Sequence, residues 1–206
     1  AEMYVEDNKN TLMGIVLAII VCFSAFFSYD RFYMQPKENN ASTEIYMAEK
    51  KFEQNKFQEA LDGDEQYAGL LEIIDSYSGT KTANLAEYYA GVSYLRLGDA
   101  ETAIEHLDNF SSNDGILAPI STGAIGDAFS ELGQDEEALE YYIKAAELRT
   151  NNFTTPVYLM KAANAAYSLG QKDKALSLYT RIENEFATSR EGQNISKYIA
   201  RITSAQ

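Results

Sequence analysis

Few side chains in this sequence stand in spacings that could do chemistry. His106 is the only histidine and Cys22 the only cysteine. A zinc site needs several His, Cys or carboxylate ligands converging on one point. One histidine, and one cysteine inside an apolar run, do not make such a set. A lone cysteine also rules out an internal disulfide, so cysteine usage says nothing of the redox compartment. No P-loop and no GxGxxG occurs. Gly123-Ala-Ile-Gly126 is a GxxG in a segment that reads as helix, where small residues serve packing. Glu136, Glu137 and Asp173 follow Leu-Gly turns and read as acids at helix starts, not as an acid/base pair. His106 reads as a surface or half-buried helical residue. The short sequons at Asn40, Asn109, Asn152 and Asn194 are common enough to arise by chance. The expectation is a chain with no catalytic residues, no metal and no cofactor.

Composition points the same way. The chain has 206 residues, a net charge of −14 and 46% hydrophobic residues. That length suits one domain and an appendage. An acidic chain without a stripe of Lys and Arg is a poor nucleic-acid binder, because phosphate neutralisation needs clustered cations. Ala, Leu, Glu, Lys and Tyr dominate the downstream part, and Pro is scarce, which favours helices.

The elements that must carry any function are written as a repeat. LGDAETA (97–103), LGQDEEA (132–138) and LGQKDKA (169–175) share Leu-Gly, four mostly polar residues, then Ala. Leu107, Tyr142 and Tyr179 follow each Ala in step, and Gly91, Gly126 and Ala163 precede each turn in step. The pattern resembles the tetratricopeptide repeat (TPR), a helix-turn-helix unit of about 34 residues. In that register Gly98, Gly133 and Gly170 supply left-handed residues that end each first helix. Asp99, Asp135 and Asp173 place negative charge at the start of each second helix. Pro119 and Pro156 suit the first turns of their helices, with Thr155 as the cap before Pro156.

The predicted fold is all-α: an N-terminal transmembrane helix, then a TPR α-solenoid. The solenoid has three clear repeats over 84–189, a degenerate repeat with an insertion over 41–83, and a capping helix over 190–206. In the degenerate copy Ala48, Phe52, Asn55, Phe57 and Ala60 stand in for the usual pattern, and Asp62-Gly-Asp interrupts the second helix. Ile195, Tyr198, Ile199 and Ile202 share one face of the segment from Arg190 to Ala205, as a solenoid end requires.

Leu12 to Tyr29 contains no charged residue. As a helix it would rise about 27 Å, near the hydrocarbon thickness of a bilayer. The membrane helix is placed at 12–33, with Tyr29, Arg31 and Tyr33 at its edge. Pro36 predicts a break and a linker over 34–40. The chain starts at Ala1, not Met, so the flank over 1–11 is expected to be incomplete. Lys9 precedes the span beside Glu2, Glu6 and Asp7; Arg31 and Lys37 follow it. Counting basic residues alone, these flanks do not favour an inside N-terminus. Gly14, Ala18, Cys22 and Ala25 lie along one side of the helix, where small residues let another membrane helix pack closely.

With no catalytic set, the candidate site is a binding surface. The first helix of each repeat lines the concave face of a TPR array. The family's register puts Tyr88, Val92, Leu95 and Arg96 there, then Gly123, Asp127, Ser130 and Glu131, then Met160, Asn164, Tyr167 and Ser168. The set lacks the Lys and Arg cluster that captures a C-terminal carboxylate in chaperone-binding TPR domains.

The order of segments also carries a resemblance. RFYMQPKE, LLEIIDSYSGTKTANLAEYYAGVSYLRLGD and FTTPVYLMKAANAAYSLGQKDKAL look like the YfgM-like bacterial TPR proteins, in the Asn-, Lys- and Tyr-rich style of versions from the Bacteroidota. That resemblance implies a single-pass inner-membrane protein with its TPR domain in the periplasm. It implies association with the SecYEG translocon and a PpiD-like membrane-anchored chaperone, acting on emerging polypeptides. The alternative is an envelope TPR adaptor in outer-membrane assembly or cell division, although such proteins are usually lipoproteins or soluble and no lipid-attachment cysteine is visible. A cytoplasmic signalling adaptor would need the opposite topology.

Overall fold

The computed structural model describes residues 8–204. Glu2, Glu6, Asp7 and Ala205, named above for the flank and the capping segment, lie outside them. The chain begins with α1 (Lys9–Tyr29), whose residues are all unburied. Phe23 and Phe26 are each 73% exposed. Apolar side chains in such number have no reason to face water. The helix is long and apolar enough to cross a membrane.

The linker expected over 34–40 is absent. A π-helical turn, Asp30–Met34, leads straight into α2 (Gln35–Glu53), and Pro36 sits in the first turn of α2. Helix runs unbroken from Lys9 to Glu53. Proline removes one backbone donor and crowds the carbonyl four residues back. The wider turn just upstream changes the hydrogen-bond register there, so the ladder passes the proline without a break.

α2 pairs with a split second helix. α3 (Phe57–Asp62) and α4 (Leu70–Ser76) flank a hairpin in which β1 (Gly63–Asp64) pairs antiparallel with β2 (Tyr67–Ala68). Asn55 makes the turn between α2 and α3 with φ +59°, a conformation Asn tolerates better than most residues. Three uninterrupted hairpins follow: α5 (Lys81–Leu97) with α6 (Ala100–Asn109), α7 (Leu117–Glu131) with α8 (Asp135–Glu147), and α9 (Thr155–Ser168) with α10 (Lys172–Glu185). α11 (Ser196–Thr203) covers the end.

The turn chemistry follows the residue pattern. Gly98, Gly133 and Gly170 have φ of +84°, +71° and +75°. The Asp99 carboxylate caps α6 by accepting from the Thr102 N–H at 3.2 Å. Gly91 is small because a Cβ there would lie 2.6 Å from Leu107 Cγ. Thr155 differs from its expected role. It is the first residue of α9, and its hydroxyl accepts from the Asn151 N–H at 2.9 Å while donating to the Ala146 carbonyl at 3.2 Å. Asn151 organises the turn instead, its Oδ1 accepting from the Phe153 and Thr154 N–H groups at 2.8 and 2.7 Å. Asn-x-x-Thr-Thr offers several such donors and acceptors, and only the path of the chain selects among them.

The core is a run of inter-helix clusters, as a solenoid requires. Ile45, Leu61, Leu70 and Ile73 fill the first, Leu107 and Ile125 the middle. Leu159, Tyr179, Ile182, Ile195 and Ile202 close the end, where the capping helix buries its apolar face. Each such side chain contributes about 1.5–3 kcal/mol by leaving water.

Candidate functional site

The first helices α5, α7 and α9 line a cleft of about 440 Å³. Tyr88, Val92 and Leu95 of α5 form an apolar wall, with Arg96 at its end. Asp127 and Glu131 come from α7, on the same face one and two turns from Ala124. Five lining residues lie outside the expected set: Ile120 and Ala124 of α7 and, at the floor, Tyr142 of α8 with Tyr158 and Lys161 of α9.

Asp127 organises this floor. Its Oδ1 accepts from the Tyr142 hydroxyl at 2.7 Å. Lys161 Nζ donates to both carboxylate oxygens, at 2.6 and 2.7 Å. The ammonium also lies 5.5 Å from the Tyr142 ring centroid and 5.8 Å from that of Tyr158, within cation–π range. The Asp127 and Lys161 side chains are 35% and 37% exposed, so the pair is open to a ligand and to screening by water. Burial pushes the Tyr142 phenol well above its ordinary pKa, and the hydrogen bond to Asp127 adds to the shift. Burial does the same for Tyr158 and for Tyr88. All three stay neutral, keep their O–H donors and present aromatic faces. Tyr158 enters the cleft across Gly123, where a Cβ would lie 2.7 Å from its ring Cδ1 and nearer still to Cε1 and Cζ. Gly123 thus has a packing role, as expected of the GxxG.

Of the residues expected on this face, Tyr88, Val92, Leu95, Arg96, Asp127, Ser130 and Glu131 line the cleft. Met160, Asn164 and Tyr167 do not. Met160 packs against the terminal core. Asn164 accepts from the Tyr179 hydroxyl at 2.6 Å. Tyr167 lies under the Arg201 guanidinium, 4.2 Å from its ring centroid, where the capping helix covers it. The Asn164–Tyr179 bond repeats Asp127–Tyr142 one unit later: a polar residue of the first helix receives the phenol of the second. In the first unit the equivalent positions are Val92 and Leu107, and the contact is apolar.

His106 is half-buried between α5 and α6. Its Nδ1 is 2.6 Å from Glu87 Oε2, and its ring stacks on Tyr94 at 5.2 Å. That ties two helices together and leaves no site around it. Among the described residues, no group of three or more His, Cys, Asp and Glu side chains is placed to hold a metal.

The sequence pattern of the tetratricopeptide repeat matches residues 85–114, 123–152 and 158–189. These are tetratricopeptide repeats. The three TPR units coincide with the three uninterrupted hairpins that line the cleft. The solenoid is also similar in fold to two crystal structures of a Podosopora anserina protein, one of them a point variant, described as a putative kinesin light chain with nearly identical TPR-like repeats. Each gives a TM-score of 0.60 at 15% identity, covering 82% of this chain and 87% of the other. At that identity the likeness concerns the fold alone. No curated protein sequence matches the chain. TPR repeats imply a scaffold for protein–protein interaction.

Proposed function

We propose that this chain is a non-enzymatic, membrane-anchored TPR scaffold that holds a polypeptide segment in the cleft between α5, α7 and α9. The observation that carries this reading is a TPR cleft in one chain with a helix of membrane-spanning length, which runs straight on into α2 beside α5. The Tyr88–Val92–Leu95 wall would take an apolar side chain. The Asp127–Tyr142–Lys161 floor would meet main-chain amides, which both donate and accept. Arg96 and Glu131 at the rim would affect association rate and register more than affinity. Replacing Tyr88 and Leu95 with Ser should abolish capture of the cleft's partner from detergent extracts while the chain stays folded. Full retention of every partner would refute the assignment of the cleft.

The finer reading is an ancillary subunit of the Sec translocation machinery, acting with a periplasmic PpiD-like chaperone on emerging polypeptides. It draws on the resemblance to YfgM-like proteins of the Bacteroidota and puts the TPR domain in the periplasm, with α1 in the inner membrane. Arg31 and Lys37 count against that orientation by basic residues alone. The Lys37 ammonium, however, donates to the Ser78 carbonyl at 2.9 Å, so a structural contact accounts for that residue's place after the span. Purification from membranes in mild detergent should recover translocon subunits, and their consistent absence would sink the reading. Protease cleavage of the array in spheroplasts tests its side of the membrane. Recovery in outer-membrane fractions would favour the envelope-adaptor alternative.

A further inference from the structure

α2 leaves the span without a hinge, and its first turn is bound to the start of the first complete repeat. Glu38 Oε2 accepts from the Lys81 N–H at 2.6 Å. Its Oε1 accepts from the Thr82 N–H at 3.2 Å and from the Thr82 hydroxyl at 2.7 Å. The carboxylate therefore sits on the N-terminus of α5, where unpaired N–H groups and the helix dipole favour negative charge. Lys37 holds the Ser78 carbonyl on the same side. A Cβ built on Gly79 would lie 3.8 Å from Met34 Cε, so the Ser78–Gly79 backbone reaches the level of Met34. The Tyr77 hydroxyl donates to Glu44 at 2.7 Å. Met34 is only roughly 7 Å along the helix from Tyr29, at 1.5 Å per residue. The turn before α5 thus lies beside the aromatic end of the span, where Phe32 and Tyr33 are 80% and 54% exposed.

This edge continues from repeat to repeat through side-chain stitches. Asn84 donates to the Ser111 carbonyl at 2.9 Å and accepts from the Ser111 N–H at 3.0 Å. Asn151 donates to the Gly115 carbonyl at 3.0 Å, and Arg149 to Asn113 Oδ1 at 3.3 Å. The turns before α5, α7 and α9 are therefore tied in series to the anchor. Phe153, 70% exposed, and Ile116, 39% exposed, belong to these turns. Lys81, Asp114 and Arg149 are exposed along them, and Arg190 and Glu191, from the loop after α10, line a pocket with Phe153. The opposite edge, at the Leu-Gly turns, carries Asp99, Asp135, Glu136, Glu137 and Asp173 against Lys172 and Lys174, an acidic balance that anionic headgroups would repel.

We propose that the stitched edge rests on the lipid surface beside its own anchor, with Phe153 and Ile116 at headgroup level, so that span and TPR array move as one body. The occupant is the bilayer interface because the edge starts at the span itself and adds exposed apolar tips. The inference rests on reading α1 as a membrane span and goes beyond the proposed scaffold role. It gives the cleft a set height and direction, so a ligand reaches it along the membrane surface.

The test uses the full chain with Cys22→Ser in vesicles of phosphatidylethanolamine and phosphatidylglycerol. A bimane label is placed through Asn152→Cys or, on the opposite edge, through Gln134→Cys, and the quencher is a lipid with a headgroup nitroxide. The label at 152 should lose most of its emission and the label at 134 almost none. Phe153→Ser, at an exposed position that leaves the fold intact, should restore emission at 152. Lys37→Ala with Glu38→Ala should do the same by freeing the array from the anchor, with helical circular dichroism retained. Equal emission at 152 and 134 from vesicle-bound chain would overturn the inference and leave the span reading standing; a protein partner or solvent would then face this edge. Failure of the chain to float with the vesicles would overturn both.

Discussion

Gly123→Ala isolates the contact that shapes the cleft. The added Cβ would lie 2.7 Å from Tyr158 Cδ1 and nearer to Cε1 and Cζ, inside the 3.0 Å that real Cβ atoms do not cross. The ring has little room to retreat. Tyr158 is 7% exposed, and its hydroxyl reaches the Ile120 carbonyl at 3.4 Å. Lys161 lies over its face. Overpacking of this kind costs about 1–3 kcal/mol. For a chain of this size that lowers Tm by roughly 2–4 °C per kcal/mol. Two opposing effects decide the sign. Ala gains about 1 kcal/mol over Gly in a helix interior, so the clash must exceed that gain. The assay is urea denaturation of the full chain in mild detergent, run as a double-mutant cycle with Tyr158→Ala. Tyr158→Ala alone should cost about 3–5 kcal/mol by opening a cavity. With the ring gone, Gly123→Ala should become neutral or stabilising, so the two changes should couple strongly. Stabilisation by Gly123→Ala in the otherwise native chain, or additive effects in the double variant, would refute the close crossing of α7 and α9 at this glycine.

Gly133→Val should cost on the order of 1–2 kcal/mol, because a β-branched residue is forced to φ +71° at an otherwise open turn; an unchanged Tm would count against the turn. The Ile116 and Leu117 N–H groups bond the Asp114 carboxylate at 2.8 and 2.7 Å and hold its pKa below the ordinary value. A carboxyl depressed in the folded state contributes stability above its unfolded pKa, and that contribution is lost as pH falls through the folded pKa. Asp114→Asn should therefore flatten the acid limb of Tm against pH, whereas an identical acid limb in the variant would contradict the cap. Gly14→Leu with Ala18→Leu should weaken co-purification of a membrane partner without unfolding the array; wild-type recovery of every partner would mean that α1 is only a tether.

Much of this architecture could be read from residue order. The Leu-Gly-x4-Ala units place left-handed glycines and small crossing residues at fixed spacings, and each does its work within one hairpin. Local chemistry of that kind is periodic and is written into neighbouring residues. The apolar run from Leu12 to Tyr29 is likewise a property of consecutive side chains, as is the break at Asp62-Gly-Asp that becomes the β1–β2 hairpin.

What only the tertiary structure decided concerns residues far apart in the chain. Asp127 and Lys161 are 34 positions apart, and nothing in either neighbourhood marks them as partners. Tyr142 and Tyr158 belong to the cleft because superhelical stacking brings α8 and α9 under α7. The same stacking packs Met160 against the terminal core, puts Tyr167 under the capping helix and bonds Asn164 to the Tyr179 hydroxyl. Pro36 shows the limit most plainly. Read locally, it ends a helix, because it lacks a donor and crowds the preceding turn. In the folded chain the π turn before it and the Glu38 clamp 43 residues from Lys81 keep the helix whole. A long-range contact of that kind can outweigh a local preference of a few kcal/mol, and no run of neighbouring residues records it.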